Sequence, residues 1–145
     1  MIASKNRGKV DEIRQVIDTP GLEIRSLADY KDAPDVIENG NTYRENALKK
    51  ARAYSVFTGE TVLADDSGLE VDFLQGAPGI HSARYAGPDA TDEENCRKLL
   101  RVLEGVAPEE RGAMFRCVLV LYHPDGQCES FEGTWRGMIH TEPVG

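Results

Sequence analysis

The sequence predicts an α/β domain with a mixed central sheet and flanking helices, and three observations carry that expectation. Two stretches open at capping residues, Thr42 and Thr91, and then place apolar side chains at three- and four-residue spacing. Residues 113 to 122 and 127 to 135 read as two long strands, with His123-Pro124-Asp125-Gly126 as the hairpin turn between them. Strands and helices mix without the strict rhythm of a parallel βαβ array, so the sheet is expected to be mixed.

Taken in order, Met1 to Ser4 is a short apolar start that leads into Lys5-Asn6-Arg7-Gly8-Lys9. A helix follows, with Val10, Ile13, Val16 and Ile17 on one stripe, and Pro20-Gly21 stops it. Leu22-Glu23-Ile24 alternates as a brief strand, and the polar residues 31 to 41 read as a loop. Thr42, with Glu45 three residues on, opens a helix that turns Tyr43, Ala47, Leu48, Ala51 and Tyr54 inward and ends near Gly59. Thr61-Val62-Leu63-Ala64 is a strand that delivers Asp65-Asp66-Ser67-Gly68 at its C-terminal end. The glycine-rich stretch from Gly76 to Gly87 must be irregular. Thr91 and Glu94 then cap a helix with Leu99, Leu100 and Leu103 buried.

Bulk properties narrow the function. A chain of 145 residues fits one domain able to bury about 70% of its extended surface. The net charge of −8, from 17 basic and 25 acidic residues, opposes binding to a nucleic-acid backbone, and no basic patch offsets it. An anionic ligand is therefore expected to be small, met by a few placed cations and a metal ion. The longest apolar run, Cys117 to Tyr122, is too short to cross a membrane, and no secretory leader opens the chain. Cys96, Cys117 and Cys128 show neither a pairing pattern nor zinc-ligand spacing, and read as reduced thiols in a cytoplasmic protein.

Three constellations carry chemistry. At Ser4-Lys5-Asn6-Arg7-Gly8-Lys9 a strand ends, a polar turn contains a glycine, and a helix begins. The unpaired N–H groups of a first helical turn suit phosphate, and Lys9 adds a full charge there. The plainer reading is a solvated turn, and the P-loop pattern is absent. Asp65-Asp66-Ser67-Gly68 sets carboxylates beside a flexible turn, a place suited to Mg²⁺, which takes one or two carboxylates plus phosphate oxygens and water. Neighbouring strand residues face opposite ways, so the two acids share a role only if the strand ends there; the plainer reading is an Asx-turn. Glu38, in the loop before the capped helix, is a further candidate carboxylate, though loop acids are commonly just solvated. His81, His123 and His140 share no metal-ligand spacing, no nucleophile–histidine arrangement points to covalent catalysis, and Trp135 reads as core packing.

In this order the motifs resemble the inosine triphosphate pyrophosphatase family. The blocks are Ser4-x-Asn6-x-Gly8-Lys9, then Glu38 with Thr42-Tyr43-x-Glu45-Asn46-Ala47-x-x-Lys50-Ala51, then Ala64-Asp65-Asp66-Ser67-Gly68-Leu69-x-Val71. Gly76-Ala77-Pro78-Gly79-Ile80-x-Ser82-Ala83-Arg84-Tyr85-Ala86-Gly87, Phe115-x-Cys117 and Gly133-x-Trp135-x-Gly137-x-Ile139 continue the likeness across the chain. The resemblance implies an elongated, two-lobed α/β fold with a cleft, commonly paired as a homodimer. It implies Mg²⁺-dependent hydrolysis of ITP, dITP and XTP to the monophosphate and pyrophosphate. By motif, Ser4, Lys5, Asn6, Arg7, Gly8 and Lys9 would hold the triphosphate and Ser67 would touch substrate. Glu38 and Asp66 would bind the metal, and Asp66 would also activate water, while Asp65 matches without an assigned role.

Related chains continue past the equivalent of Pro143-Val144-Gly145 with a Phe-Gly-Tyr-Asp segment, a lysine and a Ser-His-Arg motif. The resemblance therefore implies either a piece of a longer protein or, if the 145 residues are whole, weak or absent turnover. Two other classes compete. One is a nucleotide-binding module without catalysis. The other is a septum-inhibitor-like pyrophosphatase acting on modified pyrimidines, whose Ser-x-Ser-Pro opening with paired arginines Ser4-Lys5-Asn6-Arg7 lacks.

Overall fold

The computed structural model describes residues 1–4, 7–17 and 21–141. In chain order these form α1 (Arg7–Val16), α2 (Tyr43–Thr58), β1 (Val62–Val71), α3 (Asp92–Val102), β2 (Gly112–Tyr122) and β3 (Cys128–Met138), with short 3₁₀ turns between. The α/β class holds. The strands form an antiparallel sheet in the order β1-β2-β3, and among the described residues parallel pairing is confined to isolated bridges from Ile2 to Ser26 and to Leu63.

The helix ends follow local rules. Thr42 accepts a hydrogen bond from the Glu45 N–H at 3.1 Å, and α2 closes on Gly59 in the left-handed region at φ 71°. Thr91 and Glu94 form the reciprocal capping box at the start of α3. At α2 the Glu45 side chain bypasses Thr42 and accepts instead from the Asn41 N–H at 2.7 Å.

The chain divides into two units, Met1–Asp66 with Val118–Phe131, and Ser67–Cys117 with Glu132–Gly145. In the first, α2 buries Tyr43, Ala47, Ala51 and Tyr54, and β1 buries Val62 and Ala64. Leu48, expected inward, is only half-buried. In the second, Val71, Leu99, Leu103 and Ala113 form a core cluster with Leu69, Leu74, Tyr85, Val106 and Ile139 packed against it. Arg111, 4% exposed, donates to the carbonyls of Leu103 at 2.7 Å, Ile139 at 2.9 Å and His140 at 2.9 Å, so its buried guanidinium is met by main-chain oxygens. Asn95 of α3 holds the Gly76–Gly87 stretch, accepting from the Ala86 N–H at 2.8 Å and donating to the Ala83 carbonyl at 3.0 Å.

Three expectations are corrected. β1 does not stop at Ala64 but runs on through Asp65-Asp66-Ser67-Gly68 to Val71, so the acids lie inside a ten-residue strand. Residues 22 to 24 form no strand; the pairing falls on Ser26 instead, through its bridge to Ile2. Trp135, expected in the core, is 79% exposed, because β3 is exposed along its whole length.

Candidate active site

The candidate site lies in the first unit, where five short pieces of chain meet: residues 1–4, the first turn of α1, the loop 31–41, α2 and β1. Backbone pairing aligns the first of these. The Ala3 N–H donates to the Leu63 carbonyl at 2.9 Å, and the Leu63 N–H donates to the Met1 carbonyl at 2.8 Å. The opening residues therefore lie along β1, and α1 starts close to Asp65. Lys9 Nζ donates to Asp65 Oδ2 at 2.8 Å, with the carboxylate 14% and the lysine 39% exposed.

α2 fastens the loop in several places. Tyr54 Oη donates to the Pro34 carbonyl at 2.8 Å, and Lys49 Nζ donates to Asn39 Oδ1 at 2.5 Å. The Gly40 N–H donates to Asn46 Oδ1 at 2.8 Å. A Cβ at position 40 would lie 2.8 Å from that same oxygen and 2.8 Å from Glu45 Cβ, so this approach requires glycine. With the loop held, Glu38 Oε1 lies 2.8 Å from Lys50 Nζ. Lys50 also donates to the main-chain carbonyl of Asp65, tying the loop to β1.

The alternation of β1 assigns its two acids different surroundings. Asp66 belongs to the buried set with Val62 and Ala64, and Asp65 to the half-buried set with Leu63. Asn46 Nδ2 donates to Asp66 Oδ2 at 3.2 Å. The Asp66 carboxyl is held above the ordinary carboxylate range, first because burial disfavours its charge. The Asn46 hydrogen bond opposes that shift, the negative charge of Glu38 adds to it, Lys50 opposes it, and Asp65 adds a little more. A buried acid that resists ionisation beside a second carboxylate is a recurrent feature of reactive sites.

Of the residues singled out by the sequence, Lys9, Glu38, Asp65 and Asp66 are brought together by direct contacts to one another or through Lys50 and Asn46. Ser4 is half-buried at the end of the segment paired with β1. Lys5 and Asn6 lie outside the described residues. Arg7 and Gly8 are exposed, and Arg7 lines a separate cavity of about 230 Å³ with Asp11, Arg14 and Asp29. Ser67 follows on β1, half-buried, as the first residue of the second unit.

Asn46 and Lys50 entered the motif that carries the resemblance, but neither was assigned a chemical role there. The signal was nevertheless there: both fall on the inward stripe of α2 that runs through Tyr43, Ala47, Ala51 and Tyr54. A polar side chain at such a position needs a buried partner. Among the described residues no three His, Cys, Asp or Glu gather into a metal cage. Nor is any helix among them long and apolar enough to cross a membrane.

Comparison with known proteins places this geometry in a family. A dITP/XTP pyrophosphatase of Bacillus licheniformis is 46% identical over 145 residues, covering 100% of this chain and 74% of the relative. The Ham1 protein of Staphylococcus aureus superposes with a TM-score of 0.85 at 40% identity, covering 99% of this chain and 73% of that one. A HAM1 protein from Coxiella burnetii gives a TM-score of 0.88 at 38% identity, covering 99% and 74%. The chain thus spans about three quarters of the length of these relatives. The Ham1 family profile matches residues 1–145, and the resemblance read from the motifs is borne out: the chain belongs to the Ham1 family.

Proposed function

We propose that this chain hydrolyses non-standard purine nucleoside triphosphates, ITP, dITP and XTP, to the monophosphate and pyrophosphate. The names of its relatives support the reaction and the substrate class. The observation that carries the reading is the meeting, in one unit, of the Lys9–Asp65 and Lys50–Glu38 ion pairs with Asp66, whose charge Glu38, Lys50 and Asp65 all influence.

The residues fit a divalent cation. Asp66 is 9% exposed and its carboxyl resists ionisation partly because Glu38 is near, a conflict that a cation relieves. Glu38 and Asp66 would hold Mg²⁺, which favours one or two carboxylates alongside substrate phosphates. When bound, the ion neutralises phosphate charge and orients the group under attack.

The chain's own residues do the rest. Ser4 to Lys9 receive the triphosphate, with the N–H groups of the first turn of α1 and the Lys9 ammonium facing its oxygens. Ser67 touches the substrate. Water attacks the α-phosphorus, its oxygen stays with the monophosphate, and pyrophosphate departs. The proton released from that water passes to the Asp66 carboxylate, the role its motif assigns it. A single domain over residues 1–145, acting as a homodimer in the cytoplasm, completes the reading; the uncovered Phe131 and Trp135 of β3 support a covering partner.

The test is pyrophosphate release by the purified chain with Mg²⁺ and ITP, XTP, GTP or ATP. Release confined largely to ITP and XTP is expected. Equal rates on ATP and GTP would overturn the base preference, and no release from any nucleotide would overturn the reaction.

A further inference from the structure

Asn46 sits 1% exposed on the inward stripe of α2, the most polar of the large fully buried side chains. Its two amide atoms face opposite demands. The Gly40 N–H can only donate, so the atom it meets at 2.8 Å must be the carbonyl oxygen. The other atom is then the NH₂ group, and it meets Asp66 Oδ2 at 3.2 Å. Only a short side chain with an acceptor and a donor on one carbon satisfies both at once. Gly40 is two residues from Glu38, and Asp66 lies on β1, so a single amide spans the loop and the strand that carry the two proposed metal ligands.

We infer that Asn46 is a positioning residue that fixes the Glu38 loop and the Asp66 carboxylate in one register for the divalent cation. The inference rests on the proposed function and names a residue through which that site is held together. By bonding Oδ2, Asn46 orients the Asp66 carboxylate and leaves Oδ1 as the oxygen turned from it. By receiving Gly40, it sets how far Glu38 reaches. Gly40 belongs to the same device, because a methyl group there would press on the Asn46 oxygen. Partners behind metal-binding side chains are commonly worth about 10–100-fold in metal affinity or activity.

The experiment uses Asn46→Leu, close in shape but without either hydrogen bond, and Gly40→Ala, whose added methyl group presses on the Asn46 oxygen from the loop side. Mn²⁺ binding is titrated on each protein in the presence of α,β-methylene-ITP, analogue binding is repeated in EDTA, and kcat and KM are measured for ITP with Mg²⁺. Each variant should weaken Mn²⁺ and lower kcat by about 10–100-fold. Analogue binding in EDTA should stay at the wild-type level. The double variant should be no worse than the poorer single one, because both break one link.

Folded Asn46→Leu protein with wild-type Mn²⁺ affinity and kcat would overturn the inference and make Asn46 a packing residue. Losses that multiply in the double variant would overturn it too. If Asn46→Leu does not fold, Gly40→Ala alone decides by the same readings. Failure of the proposed function looks different: the wild-type chain itself would release no pyrophosphate. If that chain also bound no Mn²⁺, the inference would fall with it.

Discussion

Lys9 Nζ and Asp65 Oδ2 stand 2.8 Å apart, joining the first turn of α1 to the interior of β1. If Lys9 faces the incoming phosphates as proposed, Asp65 does the work of holding that lysine in place. A charge-assisted bond of this kind is worth about 1.5–3 kcal/mol when buried and less when partly wet. Replacing Asp65 by Asn should therefore raise KM for ITP by about fivefold, near 1 kcal/mol, with a smaller change in kcat. A fall in KM would show that Asp65 competes with phosphate for Lys9, and steady-state kinetics distinguishes the two.

Asp66→Asn removes the proposed proton acceptor and metal ligand while keeping the shape. General-base catalysis commonly contributes about 10²–10⁴-fold. The variant should lose at least that much of kcat, read as pyrophosphate release from ITP. Near-normal turnover would take Asp66 out of the mechanism.

Stability should move the other way. The folded Asp66 carboxyl binds its proton more tightly than the unfolded one, so its contribution is most favourable below the ordinary aspartate value of 3.8 and is lost as pH rises through the folded pKa. Metal-free wild-type protein therefore carries a penalty at neutral pH that Asp66→Asn lacks. In EDTA the variant should melt higher at pH 7, by about 2–4 °C for each 1 kcal/mol relieved, and the gap should close on acidification. A gap that widens as pH falls would contradict the assignment.

Tyr54→Phe tests how α2 holds the loop. It deletes one hydrogen bond to the Pro34 carbonyl and should cost about 1 kcal/mol, measured by urea unfolding. Hydrogen exchange should quicken across residues 34 to 41 more than elsewhere. Uniform quickening would mean that the bond stabilises the whole unit rather than the loop.

Arg111→Met tests the second unit. The guanidinium serves carbonyls of Leu103, Ile139 and His140, and its loss leaves three main-chain acceptors, one of them in a buried bond, short of a donor. A loss of about 1–3 kcal/mol is expected from urea unfolding. A neutral result would mean that water replaces it.

The parts legible in the sequence were those decided within a few residues. Thr42, Thr91 and Gly59 announce helix ends because capping is local chemistry, and His123 to Gly126 announces a turn for the same reason. The length of β1 was not legible. Asp65-Asp66-Ser67-Gly68 has little intrinsic strand preference, and its extension comes from pairing in the sheet, which depends on residues far along the chain. Trp135 misled because an aromatic among glycines looks like core, yet burial depends on what packs over a strand's face, and β3, paired with β2 alone among the described residues, is exposed throughout. The site was half legible. Charged residues at turns were visible candidates, whereas Asn46 and Lys50 were visible only as motif positions, because the inward stripe of their helix was read for apolar residues alone.

Having two acids inside one continuous strand has a consequence for tolerance. Side chains there alternate up and down, so slipping β1 by a single position would send Asp65 into the interior and Asp66 out toward the lysine. Composition would be unchanged and the chemistry lost. One residue inserted or deleted between Val62 and Asp66 should therefore be far more damaging than most replacements at those positions, since alignment along the ladder, as much as side-chain identity, decides which acid does what.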